Sequence, residues 1–421
     1  MFRNISKSPT LKMHELSQQK SQAGDKIYKF GFGQSPFGPT AQMCTDLAKN
    51  ASAHFYAPIA GIPELRNQIA KFVSHYDQTP CDADQVLVNA GSKIMLYAMM
   101  AAFDKAEIII PAPTWVSYAP QAELIGHKII PLQTTRENAW RVTSELLQLA
   151  IDQGEAGVPK ILILTYPGNP DSLSYGGEML AEIAETAREN DIYILSDEIY
   201  SMLTFDGSHQ SIAKYYPEKT VRTGGISKWA GAGGWRLGHA ILPKEHIDDL
   251  GATMIGVLSE LVSCASAPTQ LAAVCAYEIS QENEDDMKHR RRILKLAGDY
   301  TYEILSKAGI NINRPVGGFY AFVDFMDKAD AAKAKGLTNS AAFCEALLND
   351  TGVAFLSGEG FGMDESYLSA RLSYVDFDGD TALKASKEIG LDIELNHEFM
   401  AQYMPNIIEA VDKTAAWFEA L

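Results

Sequence analysis

A helical-looking segment, Glu178–Asn190, runs into the short apolar run Ile192-Tyr193-Ile194-Leu195, and this succession most constrains the fold. A run with apolar residues on both faces reads as a buried strand, and helix followed by buried strand reads as part of a βαβ unit. Such units build parallel sheets covered by helices. The pattern repeats along the chain. Val86–Val88, Ile108–Ile110, Ile129–Leu132, Ile161–Thr165 and Val221–Ile226 read as further strands, and Ile94–Phe103 as a helix. The chain from about Ala267 to Lys307 reads as largely helical, and the rest alternates strands and helices. Open α/β sheets place their ligands outside the carboxyl ends of the strands. Asp197 falls at such an end.

Two more groups follow in the same part of the chain. Lys228 comes just after the Val221–Ile226 run, and Arg236 ends a run of small residues that lets the backbone wrap closely. A carboxylate, a lysine and an arginine on successive strand ends suit a ligand with a basic nitrogen, a carbonyl carbon and a phosphate. Pyridoxal 5'-phosphate (PLP) has all three. The Lys228 amine can condense with an aldehyde, Asp197 can keep a pyridine nitrogen protonated, and Arg236 can bind a phosphate through paired donors.

With 421 residues the chain is long enough for a large core and two domains. A net charge of -17 argues against nucleic acid and anionic membranes as partners. Five cysteines are scattered without a Cys-x-x-Cys pair, so no disulfide or zinc cluster is expected and a reducing, cytoplasmic setting is. Each cysteine reads as a small buried hydrophobe. Arg3 and Lys7 are followed by no apolar run, so no signal peptide is expected. A short helical pattern surrounds Leu11–Leu16. The uncharged stretch Leu261–Tyr277 contains Pro268 and polar residues and reads as buried rather than membrane-spanning. The charged stretch Glu282–Arg292 reads as a solvated helix face.

The motifs that surround these residues resemble those of the class I/II aminotransferases, fold type I of the PLP enzymes. They run in order from Gly33 to Val375. They are Gly33-Gln34-Ser35-Pro36-Phe37, Tyr56 ahead of Gly61 and Leu65-Arg66, Gly91-Ser92-Lys93, Trp115, Asn169-Pro170, Asp197-Glu198-Ile199-Tyr200, Ser227-Lys228, Arg236 and Arg371. The resemblance implies a large domain with a mostly parallel seven-stranded sheet flanked by helices, and a smaller α+β domain. Residues 1–50 would join the small domain, 51–290 form the large PLP-binding domain, and 291–421 the small one. Gly91, Ser92, Lys93, Ser227, Arg236 and a partner-reaching Tyr56 would surround the cofactor phosphate. Trp115 would stack on the ring, and Asn169 and Tyr200 would bond its oxygen. Gly33 would lie over the substrate, and Arg371 would grip the substrate α-carboxylate.

Read alone, several of these residues have plainer roles. Tyr56 is a half-buried packing residue, Ser92 an N-cap, Lys93 the opening of a helix, Trp115 a core residue, and Arg371 a salt-bridged one. Tyr166, Asp171 and Ser172 depart from the family's Asn-Pro-x-Asn-Pro-Thr/Ser-Gly pattern. Gly225 stands where the family often has a phosphate-binding serine, a loss worth about 1 kcal/mol of binding. No dinucleotide or nucleotide phosphate-loop pattern is present.

The activity implied is amino transfer from an L-amino acid to a 2-oxo acid, with Lys228 moving the proton. Lys93 matches a lysine of the aspartate/prephenate subgroup that binds a distal carboxylate. An aspartate-like donor with 2-oxoglutarate as acceptor is therefore favoured, in a homodimer. The alternatives are another reaction on the same fold (a C–S lyase, a decarboxylase or an aminocyclopropane-carboxylate-type synthase) and a non-catalytic PLP-sensing module. The short chain ahead of Gly33 and the acidic balance count against the module.

Overall fold

The computed structural model describes residues 9–421, with the side chains of residues 9–12 and 14 left undescribed. Arg3 and Lys7 lie outside the described residues. Pro9–Gln22 is a helix that takes in the Leu11–Leu16 pattern.

Seven strands form the main sheet in the order β1-β7-β6-β5-β4-β2-β3. Their ranges are β1 Val86–Asn89, β2 Glu107–Ala112, β3 Lys128–Gln133, β4 Lys160–Thr165, β5 Tyr193–Asp197, β6 Thr220–Gly225 and β7 Gly238–Ile241. β2 to β6 pair in parallel, and β7 runs antiparallel to both of its neighbours. Every residue of β2 and β6 is buried, as helices on both faces require. Alternate residues feed the two cores. Ile161, Ile163 and Leu195 pack on one face with Leu96 and Met99, while Leu162, Leu164 and Ile194 pack on the other with Leu180 and Ile183. β3 is one of the two edge strands. It carries Pro131 and alternates in exposure, which suits an edge.

The register sets one row at the carboxyl ends. Thr165 of β4 pairs with Asp197 of β5, and Asp197 pairs with Thr223 of β6. Asp197 is therefore held between two threonines at the mouth of the sheet.

A second, antiparallel sheet follows the order β10-β11-β9-β8, with β8 Asn311–Ile312, β9 Tyr320–Asp324, β10 Leu356–Ser357 and β11 Ser369–Ser373. The N-terminal segment joins it through Tyr28, which bridges Val353, and through Phe30, whose carbonyl accepts from the Ser373 amide. The helix Ala41–Lys49 packs instead against Ala267–Ala273.

The region from Ala267 to Lys307 is largely helical, as expected: Ala267–Ala273 and a short turn to Tyr277 precede the 27-residue helix Gln281–Lys307, which Ser280 caps. Three expectations are corrected. The stretch Leu261–Tyr277 is buried in its later part, whereas Leu261 is half exposed. Glu282–Arg292 is not a plain solvated face. Asp286, His289 and Arg290 are buried. Arg290 is paired with Asp286 at 2.6 Å and donates to the carbonyls of Gly38 and Trp229 at 3.2 and 3.5 Å. A buried charge is tolerated when paired and hydrogen-bonded, and here it ties the long helix to the residue after Lys228. All five cysteines are free, but Cys344 alone is fully buried and Cys44 is exposed. Cys44 lies on the short amphipathic helix Ala41–Lys49, whose inward face is taken by Met43.

Candidate active site

The carboxyl ends of the main sheet open into a cavity of about 520 Å³. Gly33, Ser92, Lys93, Trp115, Asn169, Asp197, Tyr200, Ser227, Lys228, Arg236 and Arg371 all line it. Those residues span most of the chain, and the fold brings them to one place.

Asp197 forms the floor. It is buried, and its carboxylate accepts from Tyr118 Oη at 2.8 Å and Thr223 Oγ1 at 3.1 Å. Burial pushes its pKa up to about 6, against the pull of those two donors and of the Lys228 charge. Its direct partners are neutral, so a cation placed against it would gain strongly.

Lys228 Nζ donates to the Gly33 carbonyl at 2.8 Å and lies 5.5 Å from the Tyr200 ring centre and 5.6 Å from that of Phe319. The hydroxyls of Tyr200 and Tyr320 are 2.9 Å apart, and Tyr320 also reaches the Gly33 carbonyl at 3.3 Å. A side chain at residue 33 would collide with Tyr320, since a Cβ there would stand 1.9 Å from its hydroxyl.

At one end of the cavity, β1 leads through Gly91 into the helix Ser92–Ala101. Gly91 itself is the N-cap, at φ +94°, and no side chain caps the helix. The reading of Ser92 as N-cap is corrected: it is the first helical residue, and its amide is among the unsatisfied donors of the first turn. The backbone is closely wrapped here. A Cβ on Gly91 would stand 2.5 Å from Arg236 Nη2, and one on Gly238 would stand 2.2 Å from the Ser92 nitrogen. Arg236 adopts φ +55° and donates to the Gly233 carbonyl at 2.8 Å. An amide-lined helix start beside a guanidinium is an anion cradle. Gly225 has no room for a serine: a Cβ there would sit 2.8 Å from Gly238 Cα and from the Leu237 oxygen.

At the other end, Arg371 is buried, with Nη1 donating to Asn169 Oδ1 at 2.9 Å and Nη2 to the Gly31 carbonyl at 2.8 Å. Its Nε is buried without a partner. Among the described residues no carboxylate pairs with it, so the salt-bridge alternative for Arg371 is corrected. Lys93 Nζ donates to Ser117 Oγ at 3.2 Å and lies 4.8 Å from the Trp115 ring centre. Burial, then the charges of Arg236 and Lys228, lowers its pKa. Trp115 is half-buried on the cavity wall rather than in the core. Four cations and one carboxylate line the cavity, which makes it receptive to anions.

Tyr56 is 90% exposed, and Phe55 beside it is half exposed. The reading of Tyr56 as a half-buried packing residue is therefore corrected. Within its own chain it does not reach the cavity wall.

Tyr118, Thr223 and Tyr320 bear on the site and were missed from the sequence. Tyr118 is three residues beyond Trp115 at a helix start, a spacing that pointed to it. Tyr320 ends the run Gly317-Gly318-Phe319-Tyr320, whose glycines mark a turn into a strand. Thr223 becomes visible only through the strand register.

The sequence profile described as "Aminotransferase class I and II" matches residues 25–378. The chain belongs to the class I and II aminotransferases. Among curated relatives, the asparagine–oxo-acid transaminase of Streptococcus mutans serotype c is 31% identical over 382 residues, covering 88% of this chain and 92% of that protein. The aspartate aminotransferase of Geobacillus stearothermophilus is 31% identical over 407 residues, covering 94% and 97%. Among solved structures, the aspartate aminotransferase from Thermus thermophilus with maleate superposes with a TM-score of 0.82 at 24% identity, covering 99% of this chain and all of that one. The fold is thus that of the fold type I enzymes. The chain is an aminotransferase, of a family that works with PLP.

Proposed function

We propose that this aminotransferase holds PLP in the cavity and moves an amino group from an aspartate-like dicarboxylic L-amino acid to a 2-oxo acid such as 2-oxoglutarate. The observation that carries the substrate class is the pair of cationic ends, Lys93 and Arg371, lining one cavity with neither paired to a carboxylate among the described residues. The similarity to the aspartate aminotransferase of Geobacillus stearothermophilus points the same way.

The residues fit the cofactor. The wrapped backbone at Gly91 and Gly238 leaves the Ser92 amide and the Arg236 guanidinium facing the space a phosphate would fill, with Ser92, Ser227 and Lys93 beside them. Asp197 would hold the ring nitrogen, Trp115 the ring face, and Asn169 with Tyr200 the ring oxygen. When bound, PLP supplies an aldehyde for Lys228 and a ring that takes up negative charge from the substrate Cα. The other steps belong to the chain. Arg371 holds the α-carboxylate through paired donors, and Lys93 holds the distal carboxylate. The Lys228 amine, once free, would take the proton from the substrate Cα and deliver it to the carbon that carried the cofactor's aldehyde. Asp197 stays ionised beside a cationic ring nitrogen, which would reverse the pKa rise caused by burial. The Tyr320 hydroxyl reaches the Gly33 carbonyl that also accepts from Lys228, and the Tyr200 hydroxyl meets that of Tyr320.

The exposed Tyr56 supports a homodimer in which it would reach the partner's phosphate site. The five free thiols suit a reducing, cytoplasmic setting. We assign residues 51–290, with the helix Ala41–Lys49 that packs on them, to a large unit, and 291–421 with the segment around Tyr28 and Phe30 to a smaller one. Incubating PLP-loaded protein with L-aspartate alone tests the function. One equivalent of oxaloacetate is expected. If alanine is converted and aspartate is not, the dicarboxylate reading fails.

A further inference from the structure

The loop from Tyr166 to Leu173 departs from the family pattern, and one departure carries more than local geometry. Ser172 has φ +55°, in the left-handed region that L side chains rarely adopt. It is also fully buried. Glycine, which the family pattern has there, would meet that backbone without strain. A strained residue that persists is a pointer to what its side chain does.

The Ser172 hydroxyl accepts from the Tyr320 amide at 2.8 Å. Its carbonyl accepts from the Val316 amide at 3.0 Å, and its own amide donates to the Gly168 carbonyl at 2.9 Å. Both sides of this one residue therefore grip the segment that enters β9. Across the loop, Asp171 forms a buried ion pair with Arg141, and its Oδ1 accepts from the Leu173 amide at 3.1 Å. Asn169 is held between these ties and accepts from Arg371. Tyr320 passes the constraint on. Its hydroxyl meets Tyr200, and its ring lies 4.4 Å below the Arg371 guanidinium.

We propose that Ser172 is a positioning residue for amino transfer, fixing Tyr320 and through it the Tyr200 hydroxyl and the Arg371 guanidinium. A glycine there would keep the turn and lose the acceptor for the Tyr320 amide. The inference rests on the aminotransferase reading of the cavity, so its test has one arm that needs no turnover.

Ser172→Gly removes both the hydroxyl and the strain, and Ser172→Ala removes the hydroxyl alone. Both are compared with the PLP-loaded wild type. Ser172→Gly is expected to melt no lower than wild type, yet to show faster hydrogen exchange at the Tyr320 amide. Its kcat with aspartate should fall about tenfold, the scale of a small misplacement in a site. Ser172→Ala should show the same exchange and rate changes whatever its stability. In Ser172→Gly/Tyr320→Phe the loss should be no greater than in Tyr320→Phe alone, because both act through one group. Wild-type exchange at Tyr320, or losses that simply add, overturns the proposal. Failure of the wild type to turn over aspartate would count against the substrate reading, and the exchange arm would still decide the link.

Discussion

Asp197 and Glu198 are consecutive, both buried, and face opposite sides of the main sheet. Their surroundings differ in one respect. Asp197 is met by the hydroxyls of Tyr118 and Thr223 and opens on the cavity. Glu198 accepts from Ser196 Oγ at 2.8 Å and Ser211 Oγ at 2.7 Å, and pairs with His209 Nε2 at 3.2 Å. Behind it Arg222 pairs with Asp77 at 2.9 Å. Burial raises Asp197. Burial also opposes the charge on Glu198, but its His209 partner and Arg222 outweigh it, and the Glu198 carboxyl is held below its ordinary range. His209 moves the other way. Burial lowers its pKa, and Glu198 more than restores it, so it is raised. A carboxylate completed inside the chain is part of the fold. One left with neutral partners at a cavity mouth is kept for something the chain does not contain.

That contrast can be broken in several ways. Lys228→Ala should have the largest effect, lowering kcat at least about 10⁴-fold, since the proposed attachment point and proton carrier are the same residue. Normal turnover in this variant would remove Lys228 from the mechanism. Asp197→Asn should lower kcat by about 10²-fold or more. Yet it should stabilise the PLP-free protein at pH 7, because the buried charge costs about 3 kcal/mol there. The sign follows from the raised pKa. The penalty of a buried carboxylate is absent below about pH 4, where the group is protonated folded or unfolded, and grows as pH rises toward about 6. The gain in melting temperature should therefore appear at pH 7 and vanish near pH 4.

Glu198→Gln should do the reverse, destabilising by about 3 kcal/mol because His209 loses its counter-charge in a buried site. The depressed Glu198 contributes stability above its unfolded pKa, lost as pH falls through the folded one. The raised His209 contributes below its unfolded pKa, lost as pH rises through the folded one. The gap between wild type and Glu198→Gln should be widest between about pH 4.3 and 6.5, the two unfolded values. Melting curves across pH check both variants, and equal shifts of one sign would erase the distinction. The smallest effect belongs to the specificity end. Lys93→Ala should reduce kcat/KM for aspartate by about 10- to 100-fold, a lost charged hydrogen bond, while leaving alanine unchanged.

Much of this was legible in the sequence because several sheet strands lead into residues with distinctive chemistry. Asp197, Lys228 and Asn169 follow strand-like runs whose direction fixes where they point, and Arg236 ends a run of small residues. What was hidden depends on contacts between distant segments. Nothing local marks Thr223 as the partner of Asp197, because the parallel register between β5 and β6 makes that pairing. Arg290 read as solvated because charge along a helix usually is. Its burial comes from Asp286 one turn away and from carbonyls of two remote loops. Ser172 looked like noise in a motif, and its backbone angle and its grip on Tyr320 give it meaning only in three dimensions.

The most direct test of the central claim is borohydride reduction of the PLP-loaded protein, followed by peptide mass mapping. The account predicts a single pyridoxyl-phosphate label, on the peptide carrying Lys228, absent in Lys228→Ala and blocked by prior treatment with excess L-aspartate. A label on Lys93 instead, or none at all, would contradict it.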